Sequence, residues 1–266
     1  MKCNFGVVVS LVICSFLIVA CKNNETVVNQ KLADSVPVEL PVDTLAVVNE
    51  FPADTGATAQ LLLPKSYHSN ELDGVENGST WLGLFLGKQG YYTAQTKIFK
   101  NKVHDDVVDA DSENTGWMVT VENTDSCLML MKLGLLLPIA NIEKILSEQE
   151  PMPPYDKLTF LYKEGTYQLY ATGMINTENN MVTNYRLYAD VTIDGRTQTS
   201  LLMTTSGFNE TIATVLFAGD LNGDGLVDLI INTSTHYNTF KPTLYLSNSH
   251  RQPWILPVGW HISVGC

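Results

Sequence analysis

The chain has 266 residues, of which 45% are hydrophobic and 17% are charged, and its formal net charge is −12. This length is enough for one large domain or two small ones with a sizeable core. The negative charge argues against nucleic acid as a partner, because phosphate binding needs clustered lysine and arginine. It suits a soluble surface protein.

Residues 1–20 are predicted to be a secretory signal peptide. Lys2 gives a positive start, and the run from Phe5 to Ala20 is almost wholly apolar. This run is too short and ends too abruptly to favour a membrane span. The sequence from Leu17 to Cys21 resembles the bacterial lipobox, which implies lipidation of Cys21 and cleavage just before it. An ordinary signal peptide followed by a chance cysteine is the alternative.

Acyl chains on Cys21 would anchor the protein to a membrane that it does not span. Lys22 follows the cysteine where an aspartate would resemble an inner-membrane retention signal. We therefore expect an outer-membrane location, on the periplasmic side or at the cell surface. Residues 21–60 contain Pro37, Pro41 and Pro52 and show no sustained periodicity, so they predict a flexible tether.

Residues 61–266 predict a mainly β domain of antiparallel sheets, either a sandwich or part of a propeller. Strand patterns flank three turns, at residues 87–90, 163–165 and 194–195, and the last of these, Asp-Gly, is a strong hairpin signal. One short amphipathic helix is expected after Pro138, because Ile139, Ile142, Ile145 and Leu146 recur at helical spacing.

Two cysteines remain beyond the signal peptide and the lipidation site. Cys127 lies in a strand pattern, and Cys266 is the last residue of the chain. In an oxidising compartment we expect a disulfide between them. Two independent cysteines, with Cys127 simply buried, are the alternative.

The stretch GDLNGDGLVDLII, Gly219 to Ile231, predicts a calcium loop. Oxygen-bearing side chains alternate along it, and a glycine follows at the sixth position, where a sharp turn needs positive φ. Ile231 stands where an EF-hand requires glutamate, and the flanks have strand character. A plain hairpin turn would not explain the register of all the ligands. The expected Ca²⁺ ligands are Asp220, Asn222, Asp224, the Leu226 carbonyl and Asp228.

The stretch from Phe217 to Leu229 resembles one FG-GAP or VCBS repeat, and Thr243 to Ser247 resembles the strand that follows in such repeats. The resemblance covers residues 214–247. It implies a loop that joins two antiparallel propeller strands and holds calcium. Such repeats normally occur in arrays, and no second copy is evident, so a closed propeller is not predicted. The whole chain resembles bacterial lipoproteins that carry one such repeat near the C-terminus.

Other candidate sites carry weaker signals. Asp109 to Asn114 contains alternate acids without the glycine, which favours a solvated turn over a second calcium loop. His104-Asp105-Asp106 is a candidate acid/base cluster, and His236-Tyr237-Asn238 is a candidate ligand-contacting loop. An exposed polar segment is the plainer interpretation of both.

These features favour a calcium-binding surface lipoprotein with a binding or structural role over an enzyme. The expected partners are the membrane, through the lipid, and a glycan or envelope protein. The alternative is a secreted hydrolase or lyase that acts on a polysaccharide and contains structural calcium.

Overall fold

The computed structural model describes residues 49–53, 58–134, 137–146 and 148–265. The predicted signal peptide, the lipidation site Cys21, most of the predicted tether and Cys266 lie outside these residues. Within the described part of the chain, no helix has the length and apolar character needed to cross a membrane.

The described residues form a mainly β structure with antiparallel sheets, which confirms the predicted fold class. Their strands are β1 Ala59–Leu62, β2 Ser66–Tyr67, β3 Thr80–Gly87, β4 Gly90–Val103, β5 Gly116–Val121, β6 Ser126–Leu133, β7 Asn141–Ile142, β8 Glu150–Pro151, β9 Lys157–Tyr162, β10 Gly165–Ile175, β11 Val182–Ile193, β12 Arg196–Gly207, β13 Thr214–Gly219, β14 Asp228–Asn232, β15 Thr239–Phe240, β16 Pro242–Ser247, β17 Ile255–Trp260 and β18 Ser263–Val264.

A large sheet runs in the order β2-β5-β4-β3-β6-β1-β17-β16-β14-β13-β8, and β7 pairs with β4 beside this path. Its two halves meet where β1 pairs in parallel with β17, with Ala59 opposite Gly259. On its other side β1 pairs antiparallel with β6. The four residues of β1 therefore join the first half of the domain to the C-terminal half.

A second sheet, in the order β12-β11-β10-β9, packs against the C-terminal half of the large sheet in a sandwich-like arrangement. The buried Tyr245 on β16 donates its hydroxyl hydrogen to the Leu202 carbonyl on β12 across this core, at 2.8 Å. The side chains between the two sheets are apolar on both sides and include Tyr167, Leu169, Tyr185, Leu187, Val215, Leu229, Ile231 and Ile255.

The opposite face of β14 is also buried. Ile230 lies in a second apolar cluster with Leu61, Leu84 and Leu244, and Ile142 covers this cluster. Burial on both faces explains why β14 is a continuous apolar run and not an alternating one.

The prediction of a helix after Pro138 is wrong. Residues 138–146 are extended, and β7 pairs with β4. Thr93 forms two hydrogen bonds with this segment. Its N–H donates to the Ala140 carbonyl at 2.9 Å, and its hydroxyl accepts from the Ala140 N–H at 3.0 Å. Ile139 is 66% exposed, so the apolar residues do not share one buried face. Tertiary hydrogen bonding thus overrides the helical spacing.

The three predicted turns each join paired antiparallel strands, as expected. Ile193 pairs with Arg196 across the third turn. Asp194 and Gly195 between them have φ of 51° and 72°. Two positive values suit a type I′ turn, whose twist matches that of the flanking strands.

The tether was predicted to extend to residue 60, and the structure places residues 49–53 on the four-stranded sheet. Phe51 exchanges two backbone hydrogen bonds with Thr204 on β12, of 3.1 and 2.9 Å. The Glu50 carboxylate accepts from the Ser206 N–H at 3.1 Å. Ala59 and Gln60 already belong to β1.

Gly259→Ala should destabilise the domain, because a Cβ there would lie 2.5 Å from the Ala59 Cβ and would also clash with the Ala59 carbonyl. Crowding of this kind costs about 1–3 kcal/mol, and we expect a lower melting temperature by circular dichroism. Gly134→Ala is the matched control, since no atom lies within 4 Å of a Cβ at that position. Equal melting temperatures for the two variants would contradict the role given to the β1–β17 contact.

Candidate metal centre

The predicted calcium loop connects β13 to β14, whose last paired residues are Gly219 and Asp228. Both strands contribute side chains to the two apolar clusters, so the loop is attached to a buried part of the domain. A Cβ on Gly219 would lie 2.9 Å from both the Glu143 carbonyl oxygen and an Ile142 methyl group. The segment around β7 therefore packs directly against the first residue of the loop.

Asp220 folds the first half of the loop around its own carboxylate. One oxygen accepts the Gly223 N–H at 2.7 Å, and the other accepts the Gly225 N–H at 3.0 Å. Gly223 and Gly225 have φ of 78° and 90°, in the left-handed region that glycine adopts at low cost. The two glycines are thus required by the backbone path that brings these N–H groups back to Asp220.

Asn222 and Asp224 repeat this pattern along the loop. The Asn222 side-chain oxygen accepts the Asp224 N–H at 2.9 Å, and an Asp224 oxygen accepts the Leu226 N–H at 2.8 Å. Both side chains also contact the end of β16. The Asn222 amide donates to the Ser247 carbonyl at 2.8 Å, and the Ser247 hydroxyl donates to Asp224 at 3.1 Å.

Asp228 is fully buried, and four donors hold its carboxylate. One oxygen accepts the N–H groups of Leu221 and Asn222 at 2.6 and 2.9 Å. The other accepts both the N–H and the hydroxyl of Ser247 at 2.7 Å. Burial raises the pKa of Asp228 to about 7, although these hydrogen bonds favour the ionised form. Asp228 therefore fixes the loop to β16, and its oxygens are committed to protein donors.

A lysine from the four-stranded sheet reaches the loop. The Lys163 ammonium, in the turn between β9 and β10, lies 3.1 Å from Asp220 Oδ2. The Tyr162 hydroxyl donates to the same oxygen at 3.5 Å. Partial burial lowers the pKa of Lys163, but the hydrogen bonds with Asp220 and Tyr162 outweigh this effect and leave the pKa raised. Lys163 is therefore a cation beside the loop.

The donor set suits calcium in chemistry, since it combines carboxylate, amide and carbonyl oxygens in a glycine turn. Asp228 is hydrogen-bonded through one oxygen to Ser247 on β16. The other predicted ligands are Asp220, Asn222, Asp224 and the Leu226 carbonyl, and they keep oxygens that do not contact β16. Asp228 fits the role of a ligand less well, because it is fully buried and its carboxylate ties the loop to Ser247 at the end of β16. Among the described residues, no three His, Cys, Asp or Glu side chains converge in a group that could hold a metal ion. Any ion in the loop would need water to complete its shell.

The second acidic stretch, Asp109 to Asn114, forms a turn stabilised by its own side chains. Asp109 accepts the N–H groups of Asp105 and Thr115 at 2.9 and 2.7 Å. Partial burial raises the pKa of Asp109, but these hydrogen bonds outweigh it, so the pKa is lowered overall. The carboxylate therefore acts as a local cap within the turn.

The candidate cluster at His104, Asp105 and Asp106 is assembled only in part, since His104 Nε2 lies 3.8 Å from Asp106 Oδ1 whereas Asp105 pairs with a different histidine. Asp105 lies 2.6 Å from His68 Nδ1, a residue on the segment after β2 that the sequence did not single out. His104 contacts the Glu113 carbonyl at 2.9 Å, and the Asp106 side chain is 96% exposed. No local pattern connects His68 to Asp105, because the two are 37 residues apart.

The His236 connector lines a cleft of about 360 Å³ next to residues 50–52. The His236 ring stacks on Tyr237, with centroids 4.6 Å apart. Glu50 is the single carboxylate among the described residues that line the cleft, and it accepts hydrogen bonds from Thr205 and Ser206. The cleft therefore offers a binding surface without a pair of carboxylates.

Cys127 lies on β6 and is half-buried. Its thiol contacts the Met129 carbonyl at 3.6 Å, and burial raises its pKa to about 12. Its predicted partner, Cys266, lies outside the described residues, so the disulfide remains a prediction.

Asp228→Asn should weaken the attachment of the loop to β16, because the amide NH₂ of asparagine would face backbone N–H donors that now bind a carboxylate oxygen. Leaving buried donors unsatisfied costs about 1–3 kcal/mol each, and thermal unfolding should occur at a clearly lower temperature. Asp111→Asn changes the same charge at an exposed position and should leave the melting temperature within a degree or two of wild type. Equal losses in both variants would show that Asp228 is not a clamp.

The chain matches no protein-family model, and it matches none of the curated proteins or solved structures with which it was compared. The resemblance to FG-GAP and VCBS repeats therefore depends on the residues of the loop alone and remains a prediction. What the loop does must be argued from its own geometry.

Proposed function

We propose that this protein is a calcium-binding lipoprotein of the outer membrane or cell surface, with a binding or structural role. Calcium would stabilise the C-terminal β-hairpin formed by β13 and β14. The observation that carries this proposal is the conformation of the glycine-containing loop. In it the side chains of Asp220, Asn222 and Asp224 each accept a hydrogen bond from the backbone N–H of a residue that follows in the chain.

Asp220, Asn222, Asp224 and the Leu226 carbonyl would hold the ion. When bound, calcium supplies two positive charges to a loop in which three carboxylates lie within nine residues. Asp228 would act on the ion indirectly, since it orients the Asn222 backbone and ties the loop to Ser247. The loop is exposed at its tip, but it joins two strands whose side chains lie in the apolar clusters of the domain, and this attachment supports a role in stability.

The alternative, a hydrolase or lyase acting on a polysaccharide, has less support. Glycoside hydrolysis generally uses two carboxyl groups about 5–9.5 Å apart. The cleft beside His236 is lined by one, Glu50, and that carboxylate is already hydrogen-bonded to Thr205 and Ser206. We favour the interpretation that this cleft binds a glycan or an envelope protein.

Calcium should raise the melting temperature of the purified full-length protein relative to EDTA. With an affinity of about 10⁻⁴ to 10⁻³ M, typical of extracellular modules, 10 mM calcium would add about 1.4–2.7 kcal/mol. For a domain of this size the shift is about 3–10 °C. The Asp220→Asn/Asp224→Asn double variant should lose it. A wild-type protein that melts at one temperature in both conditions would refute the calcium role.

Cys21→Ser should release the protein from the membrane fraction, because the acyl chains would have no sulfur to join. Radiolabelled palmitate incorporation and cell fractionation measure this directly. Cys127→Ser is the control and should remain in the membrane fraction. Unchanged labelling in the Cys21 variant would show that the anchor is wrongly assigned.

A further inference from the structure

We propose that Lys163 is an internal counter-ion of the calcium loop, and that its ammonium group and a calcium ion compete for Asp220. The competition with calcium rests on the proposed function. The counter-ion role does not, because it depends only on contacts between described residues.

The Lys163 ammonium pairs with the first residue of the glycine turn and lies near its last glycine. It lies 3.1 Å from Asp220 Oδ2, the first predicted ligand. It also lies 3.6 Å from the position that a Cβ on Gly225 would occupy. Asp220 and Gly225 are themselves joined by a hydrogen bond of 3.0 Å. The ammonium therefore sits at the closure of the turn.

The hairpin holds Lys163 in an unusual conformation. Its φ is 49°, in the left-handed region that few residues other than glycine, asparagine and aspartate adopt. The ammonium also lies 4.9 Å from the centroid of the Tyr162 ring, whose hydroxyl donates to Asp220 as well. Backbone, aromatic ring and hydroxyl together direct the lysine at the loop.

The Asp220 carboxylate has limited room for both the Lys163 ammonium and a calcium ion. Its side chain is only 10% exposed, and its oxygens already accept two backbone N–H groups. A calcium ion would bind a carboxylate oxygen at about 2.3–2.6 Å, next to the ammonium, and like charges at this distance repel. The repulsion between the ammonium and a calcium ion on the same carboxylate would weaken the affinity of the loop for calcium.

This contact also bridges the two sheets. Lys163 belongs to the turn of the four-stranded sheet, whereas Asp220 follows β13 of the large sheet. The ion pair therefore adds one polar contact to the apolar core that packs the two sheets together.

Lys163→Met, which keeps an apolar stem and removes the charge, tests the competition by isothermal titration calorimetry with calcium chloride. The variant should bind calcium about fivefold more tightly than wild type, the effect expected for an ion pair worth ~1 kcal/mol. Lys157→Met is the control, because it removes an exposed lysine at the start of the same hairpin. Equal dissociation constants for wild type and Lys163→Met would overturn the competition.

A double-mutant cycle in EDTA tests the counter-ion role without any metal. Lys163→Met and Asp220→Asn should each raise the equilibrium constant for unfolding. In the double variant this constant should be about two- to fivefold smaller than the product of the two single effects predicts. Additive effects would overturn the counter-ion role. If calorimetry detects no calcium binding in either protein, the proposed function fails and so does the competition, while the cycle still decides whether Lys163 neutralises Asp220.

Discussion

A buried carboxyl group, that of Asp228, organises the C-terminal half of this domain. The Asp228 carboxylate is removed from water, and such a group is tolerated only when hydrogen bonds replace its hydration. Here Leu221, Asn222 and Ser247 provide them. The donors come from two separate segments of the chain, so the same interaction that satisfies the charge also fixes the loop to β16. The rest of the loop geometry depends on this attachment.

The loop and the sandwich stabilise each other. β14 is buried on both faces, and its first residue is Asp228. Any movement of the loop would therefore disturb side chains that pack against both the four-stranded sheet and the β7 segment. Conversely, the tight contact of Gly219 with Ile142 and Glu143 depends on that segment being extended. In this arrangement backbone N–H groups of the loop hold the alternating side-chain oxygens in place.

Local chemistry made much of the fold predictable from the sequence. The Asp194-Gly195 turn and the strands beside it follow from residues that are adjacent in the chain. The prediction of a helix after Pro138 failed because Thr93, 47 residues away in the sequence, forms hydrogen bonds with the backbone of Ala140. The residues predicted as calcium ligands lie in the loop between β13 and β14, and their role as ligands stays a prediction; the buried role of Asp228 was not foreseen. Lys163 and His68 were also missed, since their partners are distant in sequence and no local pattern marks such contacts.

The segment at residues 49–53 gives β12 a neighbour on its outer side. β12 is the terminal strand of its sheet, and a terminal strand with free backbone groups invites pairing with other polypeptides. Phe51 takes both backbone groups of Thr204, and Glu50 takes the N–H of Ser206. Covering the part of this edge around Thr204 and Ser206 makes aggregation through β12 less favourable.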